Sequence, residues 1–75
     1  MDRTLLLGNI EEAERHVVTG DLRIQRQREV LERLRLGGHD TSEAESTLTQ
    51  LEELQAVVIA HRDWLVQALK LTHPE

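Results

Sequence analysis

Two histidines, His16 and His61, are the residues of this chain whose chemistry could serve a binding site. Glu12 lies one helical turn before His16, so a carboxylate and an imidazole could share one surface. Zinc, nickel and iron accept such ligands, which makes a metal site using these three residues one hypothesis. The alternative is structural: His61 is partly buried and hydrogen-bonded to Glu12 or Glu14, and His16 lies at the edge of the contact.

Motifs of enzyme catalysis are absent from the sequence. It has no glycine-rich phosphate loop, no nucleophile elbow, no metalloprotease helix motif and no paired cysteines. Its many carboxylates fall mostly at positions that a helix exposes to water. We therefore expect a protein that is not an enzyme, carries no cofactor and acts as a small interaction or regulatory module.

The composition predicts an all-α protein that does not bind nucleic acid. The 75 residues include one aromatic residue, four glycines and one proline, so strand formers are scarce. The formal charge is -5, with 14 acidic against 9 basic residues, and such a field repels phosphate backbones. The lack of cysteine is compatible with a reducing cytoplasm, and no segment predicts a signal peptide or a membrane span.

A turn signal divides the chain into two arms. Gly37 is predicted to be the left-handed residue that ends the first helix, and Asp40 with Glu43 has the spacing of a capping box. Thr4 is the preferred N-cap of the first helix, with Asp2 as the alternative. The prediction is a single helical-hairpin domain over residues 1–75, with a helix over about 4–36, a turn over about 37–41, a helix over about 42–71 and a short tail.

Both arms carry apolar residues at coiled-coil spacing. In the first arm one row is branched and apolar throughout, whereas the second row includes Ala13 and Gly20, where a partner helix could approach closely. In the second arm the apolar arc covers more than half of the helix circumference, which one neighbouring helix cannot cover. We therefore expect two hairpins to associate as a homodimeric four-helix bundle. The residues expected in the core or dimer contact are Ile10, Val17, Ile24, Leu31, Leu34, Leu51, Leu54, Val57, Val58, Trp64, Leu65 and Leu69.

When the chain folds back at its turn, a residue of the first arm lies beside the residue of the second arm whose number brings the sum of the two to about 77. His16 then lies level with His61. Gln27 and Gln55 are polar residues at positions on the apolar rows, where they either set the register of the helices or lie exposed at the edge.

Two resemblances add to this interpretation. The run from Glu14 to Asp21 with Ile24 and Gln27, followed by Gly38-His39-Asp40-Thr41 and Ala44, resembles a group of short uncharacterised bacterial helical-hairpin proteins. This resemblance implies a bacterial, cytoplasmic setting and no particular activity.

The second resemblance is local to the second arm. His61-Arg62, followed by Leu65 and Leu69, is similar to the His-Arg-x-Lys-Asn phosphoacceptor helix of a histidine-kinase family. It implies a phosphoacceptor role for His61. The sequence departs from that motif, because Trp64 stands in place of the lysine and no asparagine follows.

Overall fold

The computed structural model describes residues 2–72, which form two helices and the turn between them. Helix α1 spans Arg3–Leu36 and helix α2 spans Ser42–Lys70. The two helices pack antiparallel into a rod of 61 × 14 × 12 Å. The prediction of an all-α fold arranged as a helical hairpin is confirmed. The tail predicted at residues 73–75 lies outside the described residues.

Helix α1 begins earlier than its preferred predicted cap. Asp2 is the N-cap, and its Oδ1 accepts a hydrogen bond from the backbone N–H of Thr4 at 3.1 Å. The choice of Thr4 as cap was therefore wrong. A carboxylate at this position satisfies one of the free N–H groups of the first turn and interacts favourably with the positive end of the helix dipole.

The turn after α1 uses a different glycine from the one predicted. Gly38 has φ 72°, whereas Gly37 has φ −83° and continues the helical conformation, so the prediction for Gly37 was wrong. The N–H of His39 donates to the carbonyl of Leu34 at 2.9 Å, and that of Gly38 donates to the carbonyl of Arg35 at 3.1 Å. These two bonds form a Schellman motif, which needs a left-handed residue at the position of Gly38.

Thr41 is the N-cap of α2 and makes no side-chain capping hydrogen bond, so the capping box predicted for Asp40 and Glu43 was wrong. Asp40 lies one residue earlier, and its Oδ1 accepts hydrogen bonds from the backbone N–H of Ser42 at 3.0 Å and from the Ser42 hydroxyl at 2.7 Å. No hydrogen bond joins Glu43 to Asp40 in this described segment. The backbone bond from Ser42, followed by the hydroxyl bond, lowers the pKa of Asp40 below its ordinary value, because both bonds favour the ionised carboxylate.

The helices meet along one seam of α1 residues that are all buried or half-buried. The tightest part lies near the open end of the hairpin, where Leu65 of α2 packs against Leu6, Ile10 and Ala13 of α1. The other members of the α1 seam are Val17, Gly20, Ile24, Gln27, Leu31 and Leu34. Over residues 2–72, neither helix combines the length and the apolar character needed to cross a membrane.

Candidate functional site

A buried glutamine fixes how the two helices meet. Gln55 of α2 is only 6% exposed, and its Nε2 donates to the carbonyl of Val17 at 2.8 Å and to Oδ1 of Asp21 at 3.0 Å. Both acceptors belong to α1, so this side chain joins the helices. A buried amide that finds both partners in one alignment disfavours any sliding of the helices, because a shift would leave it unpaired.

Gly20 provides the space that Gln55 occupies. A Cβ atom placed on Gly20 would overlap Oε1 of Gln55 and would lie 2.6 Å from its Cδ. The close approach predicted at Gly20 is therefore made by a side chain of α2. The predicted alignment of the helices would have placed Gln55 level with Leu22, whereas the structure places it against Gly20.

A second glutamine makes a similar contact near the turn. Nε2 of Gln27 donates to the carbonyl of Ala44 at 3.1 Å. Gln27 and Gln55 thus reach across the hairpin in opposite directions, one from each helix. Of the two roles considered for these residues, the contacts favour setting the register within the hairpin.

Helix α2 carries two parallel rows of residues at heptad spacing. We call the row that faces α1 the inner seam, and its members are all buried or half-buried: Ala44, Leu48, Leu51, Gln55, Val58, Arg62, Leu65 and Leu69. We call the neighbouring row the outer seam, and its members are Leu54, Val57, His61, Trp64, Ala68 and Leu71. All of the outer seam except Ala68 is exposed. Alternate spacings of three and four residues are typical of a helix that packs on another helix.

The outer seam borders a groove between the helices. This groove has a volume of about 270 Å³, with Leu51, Leu54 and Val58 on its α2 side. Its α1 side includes His16 and Arg23, and Gly20 and Gln55 also contribute to its lining. We call this side of the hairpin the groove face. It presents apolar residues of α2 that α1 does not cover.

The opposite side of the hairpin is closed by charged side chains. Arg28 pairs with Glu52 at 3.3 Å, and Arg35 pairs with Glu45 at 3.5 Å, in both cases across the two helices. Arg28 lies about 140° around α1 from Arg23, so these pairs are on the side away from the groove. Exposed pairs of this kind contribute about 0–1 kcal/mol each, so their main effect is to make this side polar.

The histidines proposed as ligands share one depression on the groove face. His16, His61 and Glu12 line a hollow of about 200 Å³, together with Asn9 and Ala13. The sequence predicted that His16 and His61 lie at the same height along the hairpin, and their shared hollow agrees with that prediction. Nε2 of His16 lies 4.0 Å from Oε1 of Glu12, and both side chains are exposed.

His61 itself is exposed, and its ring stacks on Trp64 with the centroids 6.5 Å apart and the planes 13° apart. The expectation that it is a partly buried residue bonded to Glu12 or Glu14 was wrong for this hairpin. Within residues 2–72 the structure brings no three His, Cys, Asp or Glu side chains together in a metal-binding group.

No protein-family model matches this chain, and neither the curated proteins nor the solved structures include a significant match. The two resemblances, and the phosphoacceptor role that one of them implies for His61, therefore stay predictions.

The accessible surface of the chain is large for its mass. It amounts to 5755 Å². A compact monomer of 8.6 kDa would expose about 4700 Å², roughly 1000 Å² less. The difference reflects the rod shape, in which each helix has only one neighbour.

The residues predicted for the core or dimer contact divide into two groups. Leu54, Val57 and Trp64 are 54%, 65% and 59% exposed and lie on the outer seam. The remaining nine are buried or half-buried between the helices: Ile10, Val17, Ile24, Leu31, Leu34, Leu51, Val58, Leu65 and Leu69. Leu71 was not among the residues predicted for the core or dimer contact, although its spacing from Trp64 and Ala68 places it on the outer seam.

Proposed function

We propose that this protein is a small, non-enzymatic dimerisation module in which two hairpins form a four-helix bundle through their groove faces. Its role would be that of a regulatory or adaptor protein of the cytoplasm, assembled as a homodimer and able to present the rest of its surface to a protein partner. No cofactor takes part in this proposal. The absence of cysteine suits a reducing compartment.

The observation that carries the proposal is the exposed outer seam of α2. Leu54, Val57, Trp64 and Leu71 are all more than half exposed, and they follow one another at spacings that form a continuous strip. On α1, Val18 and Leu22 are also exposed, but no other exposed apolar residue of α1 lies within one turn of either. A contiguous apolar strip is characteristic of an interaction surface, whereas scattered apolar residues are ordinary.

Sedimentation equilibrium and light scattering test the proposal on the full chain. We expect a mass of twice 8.6 kDa at micromolar concentration. Trp64 is the only tryptophan, so its fluorescence reports on this surface alone. Its emission should shift to shorter wavelength as the concentration rises and the indole leaves water. A monomeric mass with full helicity, and an emission maximum independent of concentration, would remove the proposal.

A second proposal is a metal site in which the histidines of two copies converge. It is favoured by the hollow that His16, His61 and Glu12 line together. Elemental analysis of untagged protein, together with melting in the presence and absence of a chelator, tests it. Zinc, nickel or iron at less than a tenth of stoichiometry, with no effect of the chelator, would exclude such a site.

A further inference from the structure

The groove between the helices has one polar wall and one apolar wall. The polar wall carries hydrogen-bond donors on successive turns of α1, from His16, Thr19 and Arg23. The apolar wall consists of three side chains of α2, which are Leu51, Leu54 and Val58. Sites for small molecules combine these two features, because a mostly apolar surface supplies contact and a few polar groups fix the orientation of the ligand.

The groove carries positive charge although the chain is acidic. None of the eight described residues that line it is aspartate or glutamate, whereas the chain has 14 acidic residues. Arg23 supplies a permanent positive charge, and within residues 2–72 no carboxylate forms an ion pair with it. The residues one turn before and after Arg23 on α1 are threonine, glycine, arginine and glutamine, so its own helix offers no acidic partner.

We infer that the groove binds a small carboxylate with an apolar body, in which Arg23 pairs with the carboxylate and the apolar wall covers the body. The planar guanidinium can donate two parallel hydrogen bonds to a carboxylate. The volume of about 270 Å³ is near the lower end for ligand pockets, so it suits a short apolar chain. It is too small for a helix of another protein, whose diameter is about 10 Å.

This inference goes beyond the proposed dimer and does not depend on it, because all residues that line the groove belong to one hairpin. The two proposals are compatible. Two hairpins that meet through their groove faces would enclose the site, and four-helix bundles hold their ligands between the helices in this way. Both grooves have the same lining, so neither brings a carboxylate to Arg23 of the other. A bound carboxylate would neutralise that enclosed charge, which is costly when left unpaired.

Octanoate is the probe for this site, because it joins a carboxylate to a flexible apolar chain. We would titrate it into the isotope-labelled full chain, below the concentration at which it forms micelles, and follow the backbone amide signals by NMR. The signals of Gly20, Arg23 and Val58 should shift and saturate, whereas that of Gly38 in the turn should stay unchanged. Octanol has a similar chain without the carboxylate and should bind about threefold to tenfold more weakly.

Two variants with the same change in net charge test the contact with Arg23. Arg23→Gln removes the guanidinium from the groove and should weaken octanoate binding by about threefold to tenfold, while octanol binding stays the same. Arg33→Gln is the control, because Arg33 lies about 15 Å further along α1 and does not line the groove. Both arginines are exposed, so both variants should keep the helical fold.

A second pair of variants tests the apolar wall. Leu54 lines the groove and is 54% exposed, so Leu54→Ala should weaken the binding of octanoate and of octanol alike without unfolding the chain. Val57 is 65% exposed and lies outside the groove lining. Val57→Ala should therefore leave the binding of both probes unchanged.

Three results would overturn the inference. Shifts that do not saturate would show that octanoate has no site. Equal weakening by Arg23→Gln and Arg33→Gln would show a response to the overall charge, and equal binding of octanol would show that the carboxylate is not recognised.

Light scattering on the same samples keeps this test separate from that of the proposed function. Saturable binding by a monomeric protein would support the site and remove the dimer. A dimer without saturable binding would support the dimer and remove the site.

Discussion

Replacing Gly20 with alanine should destabilise this protein, contrary to the usual effect of that change in a helix. An alanine in place of an interior glycine ordinarily adds about 1 kcal/mol of stability, because glycine loses more backbone entropy on folding. At Gly20 the new Cβ would lie 2.6 Å from Cδ of Gln55, well inside the contact distance of two carbon atoms. The amide of Gln55 would have to move.

Moving the amide of Gln55 lowers the free energy of unfolding, because it breaks contacts with α1. Its Nε2 makes two hydrogen bonds to α1, at 2.8 and 3.0 Å, and the side chain is 6% exposed, so water cannot readily replace them. Each bond contributes about 1 kcal/mol net, and a buried group left without a partner costs about 1–3 kcal/mol. This loss of about 2–3 kcal/mol exceeds the gain of about 1 kcal/mol from the alanine. We expect Gly20→Ala to lower the stability by about 1–2 kcal/mol.

Gly8 is the matched control for this experiment. It also lies inside α1, but a Cβ placed on it meets no atom within 4 Å. Gly8→Ala should therefore raise the stability by about 0.5–1 kcal/mol. For a chain of this size, 1 kcal/mol corresponds to a change of roughly 4–8 °C in Tm. The two alanine variants, melted at equal concentration, should thus shift Tm in opposite directions.

The double variant Gly20→Ala, Gln55→Ala completes the test. With the amide removed, alanine at position 20 no longer displaces anything, so adding Gly20→Ala to the Gln55→Ala background should be neutral or stabilising. This change of sign between the two backgrounds measures the coupling of the two residues directly. If Gly20→Ala raised Tm as much as Gly8→Ala, or changed it equally in both backgrounds, the assignment of Gly20 as the space for Gln55 would be wrong.

Three further predictions concern the turn and the groove face. Gly38→Ala should lower the stability by about 1 kcal/mol, because a residue with a Cβ is strained at its positive φ. Gly37→Ala should have a smaller effect in the same thermal melts, because its Cβ would displace only the exposed ring of His39. The lowered pKa of Asp40 stabilises the fold above the ordinary carboxyl pKa of about 3.9, and this contribution is lost as the pH falls through the lowered value. The destabilisation caused by Asp40→Ala should therefore shrink in urea titrations as the pH falls from 6 toward that range, and a constant difference would contradict it. Leu54→Glu should shift the dimer toward monomer in sedimentation experiments, whereas Val18→Glu, at a similarly exposed site on α1, should not. Equal effects of the two changes would count against the outer seam.

The parts of this fold that follow from local spacing could be predicted from the sequence. The predicted helices, over about 4–36 and 42–71, differ by one residue at one end each from Arg3–Leu36 and Ser42–Lys70. The heptad spacing and the glycine pair determine where the helices begin and end, and both patterns can be recognised within a few neighbouring residues. His16 and His61 line one hollow, as the position of the turn predicted.

The sequence could not show which of two neighbouring residues takes a given role when both residues are suited to it. Gly37 and Gly38 can both adopt a positive φ, and the position of the last helical bonds, such as that from His39 to Leu34, decides between them. Predicting that Gln55 packs against Gly20 requires the alignment of the two helices to better than two residues. The sequence of the turn does not determine that alignment so closely. Asp2 and Thr4 are likewise both acceptable caps.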